Sequence, residues 1–199
     1  MSGEQRVDEF ANMMRKHLED AGLIVFNLNR KKEGIWMCIF DEKINHTEII
    51  TDFSYMPFAC RGVSPLELVN ILKCGIDHPQ RKYSCLSTAE KALEYGKENT
   101  GQVLLYYDWK FFQNSKIRKR DLDEVKQELV DLYIYPLELG GEEYLAVKDD
   151  YSGYDTSYGW LVDHTLNVHP FGIIYLHNSD KPEQLKWLEL AMRELERIH

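Results

Sequence analysis

The sequence predicts an α+β fold. Three observations carry this. Apolar residues recur at helical spacing at both ends of the chain, short apolar runs bounded by turn residues fill the middle, and no regular strand–helix alternation links them. Residues 4–21 set Val7, Phe10, Met14, Leu18 and Ala21 on one helical face, and Gly22 supplies a stop. Residues 23–29 (LIVFNLN) and 35–41 (IWMCIFD) flank the turn-rich RKKEG and read as a hairpin, with 47–53 (TEIITDF) alternating as a third strand. No linker rich in Gly, Ser or Pro separates this opening from the rest. The reading is one domain over 1–199. Residues 1–50 decorate the core or form one flank of its sheet, 51–180 make the core, and 181–199 make a C-terminal helix.

Within the core, "CRGVSPLELVNILKCGI" (60–76) reads as a short extended piece, a turn and a capped helix. Ser64 is the N-cap, Pro65 the first helical residue and Glu67 the reciprocal capping partner. Leu66, Val69, Ile71 and Leu72 supply apolar surface, and Gly75 ends the helix. "YSCL" (83–86) is a short strand. Ser87-Thr88-Ala89-Glu90 then repeats the capping-box signature and opens a helix that ends at Gly96. "QVLLYYDW" (102–109) predicts a strand, and a charged helix runs over 121–131. "YIYPLEL" (133–139) and "EYLAVKD" (143–149) are strands about Gly140-Gly141. Residues 150–160 have the Tyr, Ser and Gly composition of a loop. "FGIIYLH" (171–177) is a further strand. The last helix, 182–198, places Leu185, Leu188, Met192 and Leu195 on one face.

Composition excludes several function classes. The net charge of −9 opposes attraction to a phosphate backbone, which argues against a nucleic-acid partner. The one basic run, KIRKR (116–120), is followed at once by DLDE and reads as a solvated turn ahead of a helix. No apolar run is long enough for a membrane span, and MSGEQRVDEF lacks the apolar core of a signal peptide. Cys38, Cys60, Cys74 and Cys85 form no C-x-x-C pair, and each sits among apolar residues. Reduced, buried thiols in a cytoplasmic setting are expected. The seven histidines are scattered, none at ligand spacing, so no metal site is expected.

Three pieces carry candidate chemistry: Arg61-Gly62 at a strand end, Ser87-Thr88 at a strand-to-helix junction, and Glu143 after a double glycine. Each alone has a plain structural reading, as a common dipeptide, a helix cap and a solvated turn residue. In this order, "CRGVSPLELVNILKCGI", "YSCLSTAEKALEYG" and "GEEYLAV" resemble the core of the ADP-ribosyltransferase superfamily, in the class marked by arginine, Ser-Thr-Ser and glutamate. The resemblance covers about half the chain and is stronger across the first two motifs.

The resemblance implies a split antiparallel β-sheet core with flanking helices. It also implies NAD as substrate, with Arg61, Gly62 and Thr88 at the dinucleotide, Ser87 orienting Glu143, and Glu143 supporting cleavage of the nicotinamide–ribose bond. ADP-ribose would pass to a protein acceptor of unknown identity, or to water in an NAD glycohydrolase. The residue types suit this chemistry. Positive charge develops on the ribose carbon beside a carboxylate, and a guanidinium fork suits the pyrophosphate. Two positions depart from the family pattern: Ala89 stands at the third place of Ser-Thr-Ser, and Gly141 where a first glutamate or glutamine belongs. Glu142 or Glu138 is the acid if the register shifts. The rival reading is a non-enzymatic acidic interaction or inhibitor protein, as a degenerate member of the same fold. Hydrolysis by Cys74 or Cys85 with His78 or His164 lacks any surrounding nucleophile signature. No Gly-rich Rossmann or P-loop signature occurs.

Overall fold

The computed structural model describes residues 3–20, 25–27, 36–41, 43, 59–74, 82–87, 92, 101–107, 109–148, 158–163 and 170–197. Helix α1 (Gly3–Asp20) precedes strands β1 (Val25–Asn27) and β2 (Trp36–Asp41). Strand β3 (Ala59–Val63) leads into α2 (Pro65–Cys74), followed by β4 (Tyr83–Leu86), β5 (Gln102–Tyr107) and α3 (Trp109–Ser115). A 3₁₀ turn (Lys119–Asp121) opens α4 (Leu122–Glu128). Strands β6 (Tyr133–Leu139), β7 (Glu142–Lys148), β8 (Tyr158–Asp163) and β9 (Gly172–His177) then precede α5 (Pro182–Arg197).

The strands form two sheets, ordered β1-β2-β9-β5-β3 and β4-β8-β7-β6. Every pairing is antiparallel except that of β2 with β9. That parallel pair makes the N-terminal hairpin a flank of the five-stranded sheet, continuous with the core it was expected to decorate. No helix among the described residues is long and apolar enough to cross a membrane.

The central strands β2, β9 and β5 are buried on both faces, which is why they read as nearly continuous apolar runs. One face carries Met37, Val63, Leu105 and Tyr175 against Leu68, Ile71 and Leu72 of α2 and Ala191 of α5. The other carries Cys38, Phe40, Leu104 and Ile174 against Met14 and Leu18 of α1, both wholly buried. Burying a side chain of this size is worth about 1.5–3 kcal/mol. Helix α3 ties the sheets together: Phe111 stacks on Tyr107 of β5 at 4.6 Å, and Phe112 meets Trp160 of β8 edge-on at 5.8 Å.

Local signals behaved as their chemistry requires. Ser64 N–H donates to Glu67 Oε2 (2.6 Å) and Glu67 N–H to Ser64 Oγ (3.2 Å), so the capping box at α2 is closed. Gly140 and Gly141 take φ of +64° and +84°, the two left-handed positions that a two-residue hairpin turn between β6 and β7 demands. Strand β6 is an edge, and Pro136 guards it. The N–H of Leu145, opposite Pro136, turns away from β6 to Ile117 O. The pair is therefore not hydrogen-bonded, and the missing proline N–H lies on the open side.

Several expectations need correction. The strand expected over 102–109 ends at Tyr107, and Trp109 already belongs to α3, where burial of Phe111 and Phe112 decides the conformation. Helix α4 stops at Glu128, short of 131. The loop expected over 150–160 gives way at Tyr158 to β8, whose glycine and aromatics hid an apolar strand. Leu66 and Leu185 are exposed, and Leu68, Gln184 and Ala191 take the buried places on their helices. The strand expected over 47–53 and the stop at Gly75 lie outside the described residues. So does the helix expected from Ser87 to Gly96, except for Ser87, which stands in a bridge to Cys60, and Ala92, which is helical and buried.

At the ends of the parallel pair, Asp41 accepts from the N–H of Lys43 (3.0 Å) and of Ser179 (3.4 Å), tying β2 to the turn after β9. Burial pushes its carboxyl up, but the Lys43 N–H, the Ser179 hydroxyl and N–H, and nearby His177 outweigh this and hold it below the usual range. A carboxyl depressed in the folded state contributes stability above its unfolded value, near 4, and loses it as pH falls below that. Asp41→Asn is expected to lower the melting temperature at pH 7, with the gap to wild type narrowing below about pH 4 in thermal scans. A second expectation concerns Gly172, where an added Cβ lies 2.4 Å from Trp36 Cζ2. Gly172→Ala should cost about 1–3 kcal/mol in urea unfolding, part of it recovered by Trp36→Leu in the same chain.

Candidate functional site

Arg61 and Gly62 stand on β3, opposite Leu105 and Leu104 of β5. Beyond β4, Ser87 pairs with Cys60 through two backbone hydrogen bonds of 2.8 Å, Cys60 N–H to Ser87 O and Ser87 N–H to Cys60 O. This bridge joins the two sheets and sets the strand end of Arg61 beside that of Ser87. The pleat then separates their side chains. Residues directly opposite in an antiparallel pair share a face, and neighbours along a strand alternate. Ser87 therefore lies on the face of Cys60, whose thiol packs with Leu104 and Ile174, while Arg61 lies with Val63 on the α2 side. Thr88 lies outside the described residues.

Glu143 is elsewhere. It sits next to the β6–β7 turn, opposite Glu138, half-exposed and ion-paired with Lys119 Nζ at 2.6 Å. Its neighbour Glu142 accepts from Tyr144 OH (2.5 Å) and lies 3.7 Å from Arg118 Nη2. The tyrosine hydroxyl first, and Arg118 second, hold the Glu142 carboxyl below its ordinary range. Lys116 Nζ lies 4.0 Å from the centre of the Tyr144 ring. Two members of the basic run, Arg118 and Lys119, thus face the acidic end of this hairpin, and Lys116 covers its Tyr144 ring. The backbone of the run also inserts between β7 and β8: Ile117 N–H donates to Leu161 O (3.1 Å) and Leu145 N–H to Ile117 O (2.8 Å). As expected, Arg118, Lys119 and Arg120 are exposed in a turn that opens α4, while the buried Ile117 adds a wedge that parts the two strands.

Strand register fixes how far Glu143 is from Ser87. Leu86 is level with Trp160, and Trp160 with Ala146. Ser87 lies one residue beyond that level and Glu143 three residues short of it, on strands two places apart. At about 3.3 Å per residue and 4.8 Å per strand their backbones are at least about 16 Å apart, and the wedge between β7 and β8 widens the gap at the Glu143 end. A serine and a glutamate side chain do not span that gap. The expected convergence of Arg61, Ser87 and Glu143 is met for the first two backbones only, and Glu142 and Glu138 share the position of Glu143 at the hairpin end.

The strand that does flank Ser87 is β8, which sequence reasoning missed. Its one available signal was the apolar run Trp160-Leu161-Val162 after Gly159. Beside Ser87 that strand offers Gly159, where an added Cβ lies 1.9 Å from Cys85 Sγ and 3.2 Å from Leu86 O. No carboxylate-bearing residue fits there without displacing Cys85. Cys38 and Cys60 offer no substitute nucleophile: burial pushes Cys38 up to about 12 and raises Cys60 further. His78 and His164 lie outside the described residues.

No protein-family model, curated protein or solved structure matches the chain. The geometry of Glu143 has a direct consequence for stability. Exposed ion pairs of the Glu143–Lys119 kind are worth at most about 1 kcal/mol. Glu143→Ala is expected to leave the urea midpoint close to wild type, whereas removing a buried carboxylate from an assembled site shifts it plainly in either direction.

Proposed function

We propose that the chain is a non-enzymatic interaction protein built on an ADP-ribosyltransferase-like scaffold. The observation that carries this reading is Glu143, paired with Lys119 at a hairpin end at least about 16 Å from Ser87. Cleaving the nicotinamide–ribose bond requires a carboxylate against the ribose carbon as positive charge develops there. A glutamate beyond side-chain reach, already paired with a lysine, does not supply it. Support for the scaffold comes from two mostly antiparallel sheets that meet where the Arg61 and Ser87 strands end.

Support for an interaction role comes from charge and from one surface. The chain carries a net −9, and the turn after α4 and the start of β6 expose Val130 (75%), Leu132 and Tyr133 (61%) beside Glu128 and Asp131. Apolar side chains set among carboxylates suit a protein partner with a basic rim and an apolar centre. Thiols held protonated by burial suit a cytoplasmic setting.

A second reading, NAD-dependent ADP-ribosyl transfer or NAD hydrolysis, is favoured by one observation, the double hydrogen bond that sets the Arg61 strand against Ser87. In it Arg61, Gly62 and Thr88 hold the dinucleotide and Ser87 orients an acid other than Glu143. Nicotinamide release from NAD by the purified chain, with and without cell lysate as acceptor source, separates the two. The expected result is no release above buffer, for wild type and Glu143→Ala alike. Release that disappears in Glu143→Ala overturns the interaction reading, and release that survives there but is lost in Arg61→Ala selects the second.

A further inference from the structure

The four-stranded sheet ends at β6, and among the described residues no strand pairs with its outer side. The Pro136–Leu145 pair is not hydrogen-bonded, so the carbonyl of Pro136 points outward. Ile134 and Glu138 stand two residues to either side and share its orientation. Their N–H and C=O groups therefore point outward as well. Pro136 removes the middle donor and keeps its acceptor. The edge is guarded at its centre and intact on both sides of it. Every β6 residue except Ile134 reaches solvent.

The side chains along this edge alternate in chemistry. Tyr133, Tyr135 and Leu137 share one face, where the two tyrosine rings lie 6.0 Å apart and tilted. Exposed Leu132 and Val130 continue the apolar surface into the turn before the strand. The other face carries Glu138. Its cross-strand neighbour Glu143 is taken by Lys119, while Glu138 is exposed and pairs with no cation among the described residues. Asp131, exposed in the turn, pairs with none among them either.

We propose that the β6 edge takes up an extended, basic segment of another protein as an added strand. It rests on the interaction reading above and names the site and the chemistry of the partner. In strand addition main-chain bonds give affinity and alternate side chains give specificity. The amides of an antiparallel partner opposite Ile134, Pro136 and Glu138 point at β6, and the side chain opposite Glu138 lies on its face. A lysine there meets a carboxylate without a cation, and a second cation beyond Tyr133 meets Asp131. Apolar side chains between them meet Tyr135 and Leu137. A second copy of this chain fits worse. Antiparallel self-pairing centred on Tyr135 brings Glu138 beside Asp131 of the second copy, and centred on Leu137 it brings the two copies of Glu138 together. Like charges oppose both registers, and the net −9 adds to the repulsion.

The peptide acetyl-Thr-Lys-Val-Thr-Val-Thr-Val-Lys-amide, dye-labelled and followed by fluorescence anisotropy against the full chain, tests it. The first lysine is placed opposite Glu138, the middle threonine opposite Pro136 and the last lysine near Asp131. Binding is expected. N-methylation of the last two threonines, whose amides point at β6, should weaken it about tenfold or more. N-methylation of the first two valines, whose amides point away, should leave it within about twofold. Glu138→Lys should weaken the peptide about fivefold, the factor an exposed ion pair supplies, with circular dichroism unchanged. Equal losses from the two methylated peptides, or wild-type affinity in Glu138→Lys, overturn strand addition at this edge. Sedimentation equilibrium of the chain alone should show a monomer. A dimer that the peptide dissociates names a second copy as the occupant and overturns the proposal. No binding at millimolar peptide, with nicotinamide release still at the buffer level, overturns the edge and leaves the interaction reading in place. Nicotinamide release overturns that reading, and the edge with it.

Discussion

The two hydrogen bonds between Cys60 and Ser87 are the constraint on which the rest of the molecule depends. They are the isolated bridge through which β3, at one edge of the five-stranded sheet, meets the chain leaving β4, at the edge of the four-stranded sheet. Without them each sheet would present an unpaired edge, with the desolvation cost that unpaired backbone groups carry. With them, the row of paired residues from Trp36 through Gly172, Tyr106 and Cys60 to Ser87 is continuous, and the order of strands beyond is set. Strand β8 becomes the neighbour of β4, β7 is displaced by one place, and the end of the β6–β7 hairpin lies far from the bridge. The fate of the candidate site follows from this order rather than from the identity of its residues.

Much of the fold was legible because local chemistry and tertiary structure agree. Ser64, Pro65 and Glu67 name their helix, and Gly140-Gly141 their turn, whatever surrounds them. The strands with one apolar run and flanking turn residues were equally readable. The illegible parts are those where a distant contact overrides local preference. Trp109 reads as the end of a strand, yet Phe111 and Phe112 gain more by stacking on Tyr107 and Trp160 from a helix. Residues 158–160 read as loop because glycine and aromatics dominate, yet Gly159 is required by the closeness of Cys85. Leu185 and Leu66 satisfy the helical period but sit on the outer side of helices whose inner side is set by where the sheet lies.

The candidate site was legible in its first two motifs and not in its third, and the reason is physical. Motifs on one pair of neighbouring strands are read from adjacent text, because a strand, a helix and a return strand occupy about thirty residues. A carboxylate supplied from farther along depends on which later strand is inserted next, and sequence does not state that order. The basic run adds a further complication. Lys116, Arg118 and Lys119 pair with Tyr144, Glu142 and Glu143 across a wedge that no periodicity announces. Charges that look available in the sequence are engaged in the fold, which also leaves the net −9 to be carried by other surfaces.

Among the described residues a few buried polar atoms depart from the rule that such groups are satisfied, Trp36 Nε1, Ser84 Oγ and His177 Nδ1 among them. Elsewhere the rule is kept, as when buried Gln102 donates to Ala92 O at 3.0 Å and buried Ser115 to Phe111 O at 2.6 Å. An apolar side chain fills the position of Trp36 at least as well. Leucine or phenylalanine gives the same burial with no polar atom to strand, a difference of about 1–3 kcal/mol per atom. A strand buried on both faces is where that cost is hardest to relieve, since solvent reaches neither side.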